Sequence, residues 1–311
     1  MKVHLIRYST ECLILFTAFY FSSCGSSAKY YLNSADQKYI KGDYDGAIKD
    51  LSTLIEIDPE NSDAFFKRGK AYSYINMHQR AIEDYNTVIN LNSSFSQAFL
   101  NRGIEYINIE NFSAAITDLN KAIELNPETS LAYFSRAYAW SILGNSKNAL
   151  EDYSKAIEIN PYYVQAYVNR GNVKSILDDS KGAIEDYTKA IEINPGEANA
   201  FMSRAGDLIL TGNITGAIDD LTKAIEFQPD NYELYMRRGE LQMLIDNYKD
   251  AVNDFNFVIK KDSSNSAAFL KMGLSKINLK KNEDGCKDLV RAGELGNIYA
   301  YEEIQKHCMK K

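Results

Sequence analysis

Along most of this chain apolar residues recur three and four apart, and they do so within one phrase written repeatedly. Residues 183–195 read AIEDYTKAIEINP, residues 149–161 ALEDYSKAIEINP, residues 115–127 AITDLNKAIELNP and residues 217–229 AIDDLTKAIEFQP. Within the phrase, Ile184, Tyr187, Ala190 and Ile191 fall on one face of a 3.6-residue helix. Aligned on it, the chain shows eight registers 34 residues apart, starting near 28, 62, 96, 130, 164, 198, 232 and 266, each with two helical patterns. One column holds Ala47, Ala81, Ala115, Ala149, Ala183, Ala217, Ala251 and Gly285. Another holds Ala35, Gly69, Gly103, Ala137, Gly171, Ala205, Gly239 and Gly273. Small residues at both places predict that the paired helices approach closely. Pro59, Pro127, Pro161, Pro195 and Pro229 stop the second helix, which proline cannot continue. Gly42, Gly144 and Gly212 end the first.

A helix–turn–helix period of this length, with these small, aromatic and proline columns, resembles the tetratricopeptide repeat family. The resemblance implies an all-α fold, a right-handed superhelical solenoid of eight repeats over 28–296. It leaves no room for an inserted catalytic domain. Repeats must stack, because one helix pair cannot bury its apolar face alone. Departures from the pattern are local: Ser93 and Ser263 replace the terminal proline, Gly285 replaces alanine, and Lys38 replaces the usual aromatic. Residues 297–311 read as a C-terminal capping helix, with Ile298, Tyr301 and Ile304 toward the array and Glu302, Glu303, Gln305 and Lys306 toward water.

Two charged columns run through the repeats, Asp50 to Asp288 without exception and Arg68 to Arg238. A charged ligand track is one reading. A ladder of Asp on a second helix paired with Arg on an adjoining first helix fits better, because the two signs compensate in repeat after repeat. A binding surface belongs instead where repeats differ, and the resemblance places it on the first helices, lining a concave face. One column there is apolar: Leu32, Phe66, Leu100, Phe134, Val168, Met202, Met236 and Leu270. The next is mixed: Asp36, Lys70, Ile104, Tyr138, Asn172, Gly206, Glu240 and Leu274. The predicted partner groove therefore comprises Phe66, Lys70, Leu100, Ile104, Phe134, Tyr138, Val168, Asn172, Met202, Met236 and Glu240. The apolar column has two readings, an exposed stripe for an apolar segment or amphipathic helix, or packing between helices. The family's carboxylate-clamping version is not expected, since its Lys-bearing column is apolar here.

The start of the chain adds an address. Lys2, His4 and Arg7 precede a short apolar run, Cys12 to Phe21, too short to span a bilayer. The following Phe21-Ser22-Ser23-Cys24-Gly25 resembles a bacterial lipobox, which implies a signal peptide over 1–23, lipid attachment at Cys24 and a short tether over 24–27. A plain secretory signal cut near Ser23 to Ser27 is the alternative. Gly25 is not the Asp associated with inner-membrane retention in enterobacterial lipoproteins, so the outer membrane facing the periplasm is favoured. The formal net charge of −7 offers no basic surface for nucleic acid.

Candidate chemistry is sparse. Neither a phosphate-binding glycine loop nor a nucleophile motif occurs, and no catalytic residue, cofactor or metal site is expected. Cys286 and Cys308 lie ten residues before and twelve after Gly296, where two antiparallel helices would join. In an oxidising compartment they are expected to form a disulfide; two thiols that never meet, or a metal site with His307, are the alternatives. Trp140 shares a column with Tyr72 and Tyr106 and reads as core filling. The sequence thus points to a lipid-anchored, non-catalytic protein–protein adaptor of a bacterial envelope, binding a protein or peptide. A structural subunit of an outer-membrane assembly or secretion complex, and a secreted protein with a glycan-binding or enzymatic role, are the other classes open.

Overall fold

The computed structural model describes residues 27–309, and Cys24 with the predicted signal peptide lies outside them. Among the described residues the secondary structure is helical, without strands. Two compact units divide the chain, one up to Asn160 and one from Pro161. In the first unit the first helices are α1 (27–40), α3 (Ser62–Tyr74), α5 (Ser96–Asn108) and α7 (Ser130–Ile142). Their second helices are α2 (Tyr44–Ile57), α4 (His78–Leu91), α6 (Phe112–Leu125) and α8 (Ser146–Ile159). In the second unit the pairs are α9 (Val164–Ile176) with α10 (Ser180–Ile193), α11 (Ala198–Leu210) with α12 (Ile214–Phe227), α13 (Tyr232–Leu244) with α14 (Tyr248–Lys261), and α15 (Ser266–Asn278) with α16 (Asn282–Glu294). A last helix, α17 (Ile298–His307), follows. From α2 to α8, and again from α9 to α17, each helix packs on the next, and several first helices also touch the first helix of the following repeat.

The local chemistry accounts for the repeat. Each first helix ends in one left-handed residue, and the series 42, 76, 110, 144, 178, 212, 246 and 280 has φ between 59° and 81° throughout. Glycine fills only three of these places; Asn76, Glu110, Asp178, Asp246 and Lys280 fill the rest. Asx residues such as Asp43, Asn111, Asn145, Asp179 and Asn213 then accept a hydrogen bond from a backbone N–H in the first turn of the second helix. Both small columns lie where the helices of a pair meet. A Cβ on Gly69 would stand 2.8 Å from the Tyr85 ring, and one on Gly171 2.6 Å from Tyr187.

The charged columns form the ladder. Arg68 donates from Nε and Nη2 to Asp84 at 2.9 and 2.8 Å, and from Nη1 to Ser52 in the preceding second helix at 3.0 Å. Arg102 repeats this with Asp118 and Asn86, and Arg204 with Asp220 and Thr188. Arg68, Arg102, Arg136, Arg204 and Arg238 therefore each close their own helix pair and stitch it to the previous one. In the first and eighth repeats, which lack that arginine, Lys38 and Lys276 reach Asp50 and Asp288, each at 2.6 Å.

Cys286 and Cys308 are joined in a disulfide, Cα atoms 5.7 Å apart, linking α16 to the end of α17. The bond sets the phase of α17, so the stripe 300, 304, 308 faces α16. Ala300 is buried and Ile304 half-buried. The expected orientation holds for Tyr301, whose ring lies against Gly293 of α16 and whose hydroxyl donates to the Gly293 carbonyl at 3.2 Å, and is corrected for Ile298, which is 71% exposed. Glu303, expected in water, is half-buried and lies 3.2 Å from His307 Nε2. Reducing the disulfide, which closes a 22-residue separation, should cost about 2–4 kcal/mol. Melting with and without reductant checks this, and a Cys286→Ser variant should show no reductant effect.

Candidate functional site

The ladder is structural. Asp84, Asp118, Asp152, Asp186, Asp220 and Asp254 are all buried. Hydrogen bonding to Asp84 holds the Arg68 guanidinium more firmly protonated, against the opposing effect of burial. Burial pushes the Asp84 carboxyl upward, opposed by its Arg68 bonds. Arg238 and Asp254 repeat the arrangement. Both carboxylate oxygens are taken by the guanidinium, so the column offers little to a ligand. Trp140, expected in the core, is half-buried and borders a cleft of about 220 Å³ with Asn120, Arg136, Asn148, Glu151 and Asp152. Arg136 there is already bonded to Asp152 and Asn120.

The first-helix face remains, and the structure sorts the predicted groove residues into two groups. Those of the apolar column pack between helices. Leu100 is buried in the cluster of Leu119 and Ala132 and forms no part of an exposed groove. Phe66 lies half-buried against the Tyr85 and Phe95 rings, and Phe134 against Tyr153. Met202 packs on the Phe201 and Leu221 cluster, Met236 on that of Phe255 and Met272, and Val168 is half-buried. The mixed column lies further out. Tyr138 is exposed, Lys70 sits 5.5 Å over the Tyr39 ring, and Glu240 pairs with Lys271 at 3.1 Å. Asn172 accepts from the Tyr187 hydroxyl at 2.9 Å, while Ile104 packs beside Leu119.

One turn beyond the mixed column lies a third that the sequence reading missed. In the first unit it presents Ile40, Tyr74 and Ile142, which are 84%, 59% and 53% exposed. In the second it presents Ile176, Leu210 and Leu244 at 76%, 74% and 69%. Ile109, Leu143, Leu177 and Ile245, each the residue after its first helix, are exposed beside it. Large apolar side chains recurring in water at one place in six of the eight repeats are the signature of a surface meant to be covered. The available signal was the column itself, interrupted by Asn108 and Asn278, which a buried seam would not tolerate.

On the same face of α11, Gly206 precedes Ile209 and Leu210 by three and four residues. A Cβ there would meet nothing within 4 Å. Helical glycine costs conformational entropy, so Gly206→Ala should stabilise the chain by roughly 0.5–1 kcal/mol, read by urea denaturation. A loss of stability would show a crowding at Gly206 that the geometry lacks.

Known proteins agree with this architecture. Models of the tetratricopeptide repeat match residues 63–93, 96–129, 130–163 and 164–197, and one described as TPR repeat matches 35–73. No curated protein matches the chain. Among solved structures, MamA is 30% identical, with 56% of this chain and 95% of MamA covered and a TM-score of 0.51. The C-terminal part of a TPR repeat-containing protein from Cytophaga hutchinsonii is 16% identical, with 78% and 99% covered and a TM-score of 0.65. YrrB, described as a TPR protein with an unusual peptide-binding site, is 24% identical, with 58% and 93% covered and a TM-score of 0.50. The last two likenesses are of fold. Helix pairs at a constant period, one small residue at each close approach, and these matches together place the chain in the tetratricopeptide repeat family.

Proposed function

We propose that this chain is a non-catalytic protein–protein interaction scaffold that takes an apolar segment of a partner protein along the ends of its first helices. The exposed column Ile40, Tyr74 and Ile142 in one unit, and Ile176, Leu210 and Leu244 in the other, carries the reading. Covering such side chains supplies the apolar burial that drives association, about 25 cal/mol per Å² before the costs of binding. We further propose that lipid at Cys24 holds the scaffold on a bacterial envelope membrane, the outer membrane on its periplasmic side. The basic head, short apolar run and Phe21-Ser22-Ser23-Cys24 site support this.

The experiment is in-cell crosslinking and pull-down of the wild type beside Leu210→Glu with Leu244→Glu. Both side chains are solvent-facing, so the double variant should fold and yet lose its crosslinked partners. Retention of the same partners would overturn the binding reading. Fractionation tests the anchor separately: Cys24→Ala should leave the membrane fraction, and a wild type that never incorporates labelled fatty acid would refute lipid attachment.

A further inference from the structure

We infer that Gly206 and Asp207 form a notch that receives one basic side chain, lysine or arginine, of the segment bound along α9, α11 and α13. The inference rests on the proposed binding reading and adds the chemistry of the partner.

Gly206 has no structural reason to be glycine. The other glycines of the first helices, Gly69, Gly103, Gly171, Gly239 and Gly273, each have an atom within 3.0 Å of where a Cβ would stand. Gly206 has none within 4 Å, and its φ is not in the left-handed region. It is exposed, and its column carries Asn172 in the preceding repeat and Glu240 in the following one. The row of side chains along this face therefore has a gap at α11, flanked by Ile209 and Leu210.

Beside the gap lies a carboxylate in want of a donor. Asp207 is 3% exposed, and its Oδ1 is buried without a hydrogen-bond partner. The third repeat has Glu105 at the equivalent place, 1% exposed, and satisfies it fully. Ser73 donates to Oε1, while His78 Nδ1 lies 2.7 Å and Asn108 Nδ2 3.3 Å from Oε2. The corresponding residues around Asp207 are Ser175, Ser180 and Leu210. Aspartate is one methylene shorter than glutamate, leucine cannot donate, and neither serine is bonded to Oδ1. Neighbouring cations are committed elsewhere: Lys174 and Arg170 to Asp186, Arg204 to Asp220. The negative charge of Asp207 is felt at Tyr187, whose phenol is held above its ordinary range first by burial and then by that charge.

A buried carboxylate oxygen without a donor is destabilising, and a group supplying a charge-assisted hydrogen bond relieves it. The long, thin stem of lysine or arginine can pass a glycine where any other residue would stand in the way. Glu240 adds a second negative charge nearby on the surface, itself shared with Lys271. The ligand class is thus a segment with apolar residues for Ile176, Leu210 and Leu244 and one cation between them.

Display selection of random twelve-residue peptides on the detergent-purified full chain tests this. Peptides selected on the wild type should share a lysine or arginine at one fixed place among apolar residues. Replacing that residue by norleucine should weaken binding about tenfold or more, as loss of a charge-assisted bond does. Asp207→Asn should remove the preference for a basic residue, and Gly206→Leu should weaken binding while melting no lower than wild type. Binders with no basic requirement that Leu210→Glu still abolishes would overturn the notch and leave the binding reading standing. No binders at all on the wild type would defeat both. A crystal structure of a peptide complex with only ordered water on Asp207 Oδ1 would also overturn the inference.

Discussion

Asp84→Ala should cost about 3–5 kcal/mol, the loss expected when one member of a buried ion pair is removed. Asp84 is 4% exposed and accepts two bonds from one guanidinium, while Nη1 of Arg68 reaches Ser52 in the preceding repeat. Without the carboxylate, Arg68 keeps its charge and its packing beside Phe65 and Tyr72 but has no counter-charge in that place. The damage should spread across two repeats, because the same guanidinium stitches α2 to α3 and α4. Replacing both partners by apolar residues, Arg68→Met with Asp84→Leu, should recover most of the loss, since desolvation of the pair offsets much of its attraction. Denaturation combined with hydrogen exchange in α3 and α4 reads both variants. A loss below about 1 kcal/mol for Asp84→Ala, the range of an exposed pair, would show that Arg68 simply turns to water.

The ladder also shows how far the sequence could be read. A column of Asp and a column of Arg at one period were legible as partners, because only pairing explains their compensation in repeat after repeat. Whether the pairs were exposed was not legible, since burial depends on the neighbouring repeat covering them. The first-helix surface was harder for a related reason. Phe66, Leu100 and Phe134 and the residues Tyr74, Ile142 and Ile176 are all apolar columns on the same helices. Only the tertiary packing, chiefly on the second helix of the same repeat, decides that the former pack inward, while the latter stand in water. In the cap, hydrophobicity suggested Ile298, Tyr301 and Ile304 as the inner face; Tyr301 and Ile304 do meet α16, while the disulfide at Cys308 adds Ala300 to that face and leaves Ile298 in water. Asp207 was invisible as a site, because its peculiarity is the donor it lacks.

Gly171→Leu should be as damaging as any ladder change, at least about 3 kcal/mol, the upper end of overpacking penalties. A Cβ at this position would lie 2.6 Å from Tyr187 Cε1 and 3.0 Å from Cδ1 and Cζ, before any of the leucine's remaining atoms are placed. Tyr187 cannot give way cheaply. It is 1% exposed, and its hydroxyl is bonded to Asn172 at 2.9 Å, so moving the ring opens a void and breaks that bond. Gly171→Ala should already destabilise, and Gly171→Ala with Tyr187→Leu should recover part of the loss by removing the ring it strikes. Gly206→Leu, on the next first helix, should show no such penalty, because nothing stands within 4 Å of its Cβ. Asp186→Ala is no mild comparison: its carboxylate is buried between Arg170 and Lys174. Urea denaturation of the glycine pair is the decisive measurement. Helix propensity favours leucine over glycine at both places, so equal effects of Gly171→Leu and Gly206→Leu would show that the approach of α10 to α9 sets no cost.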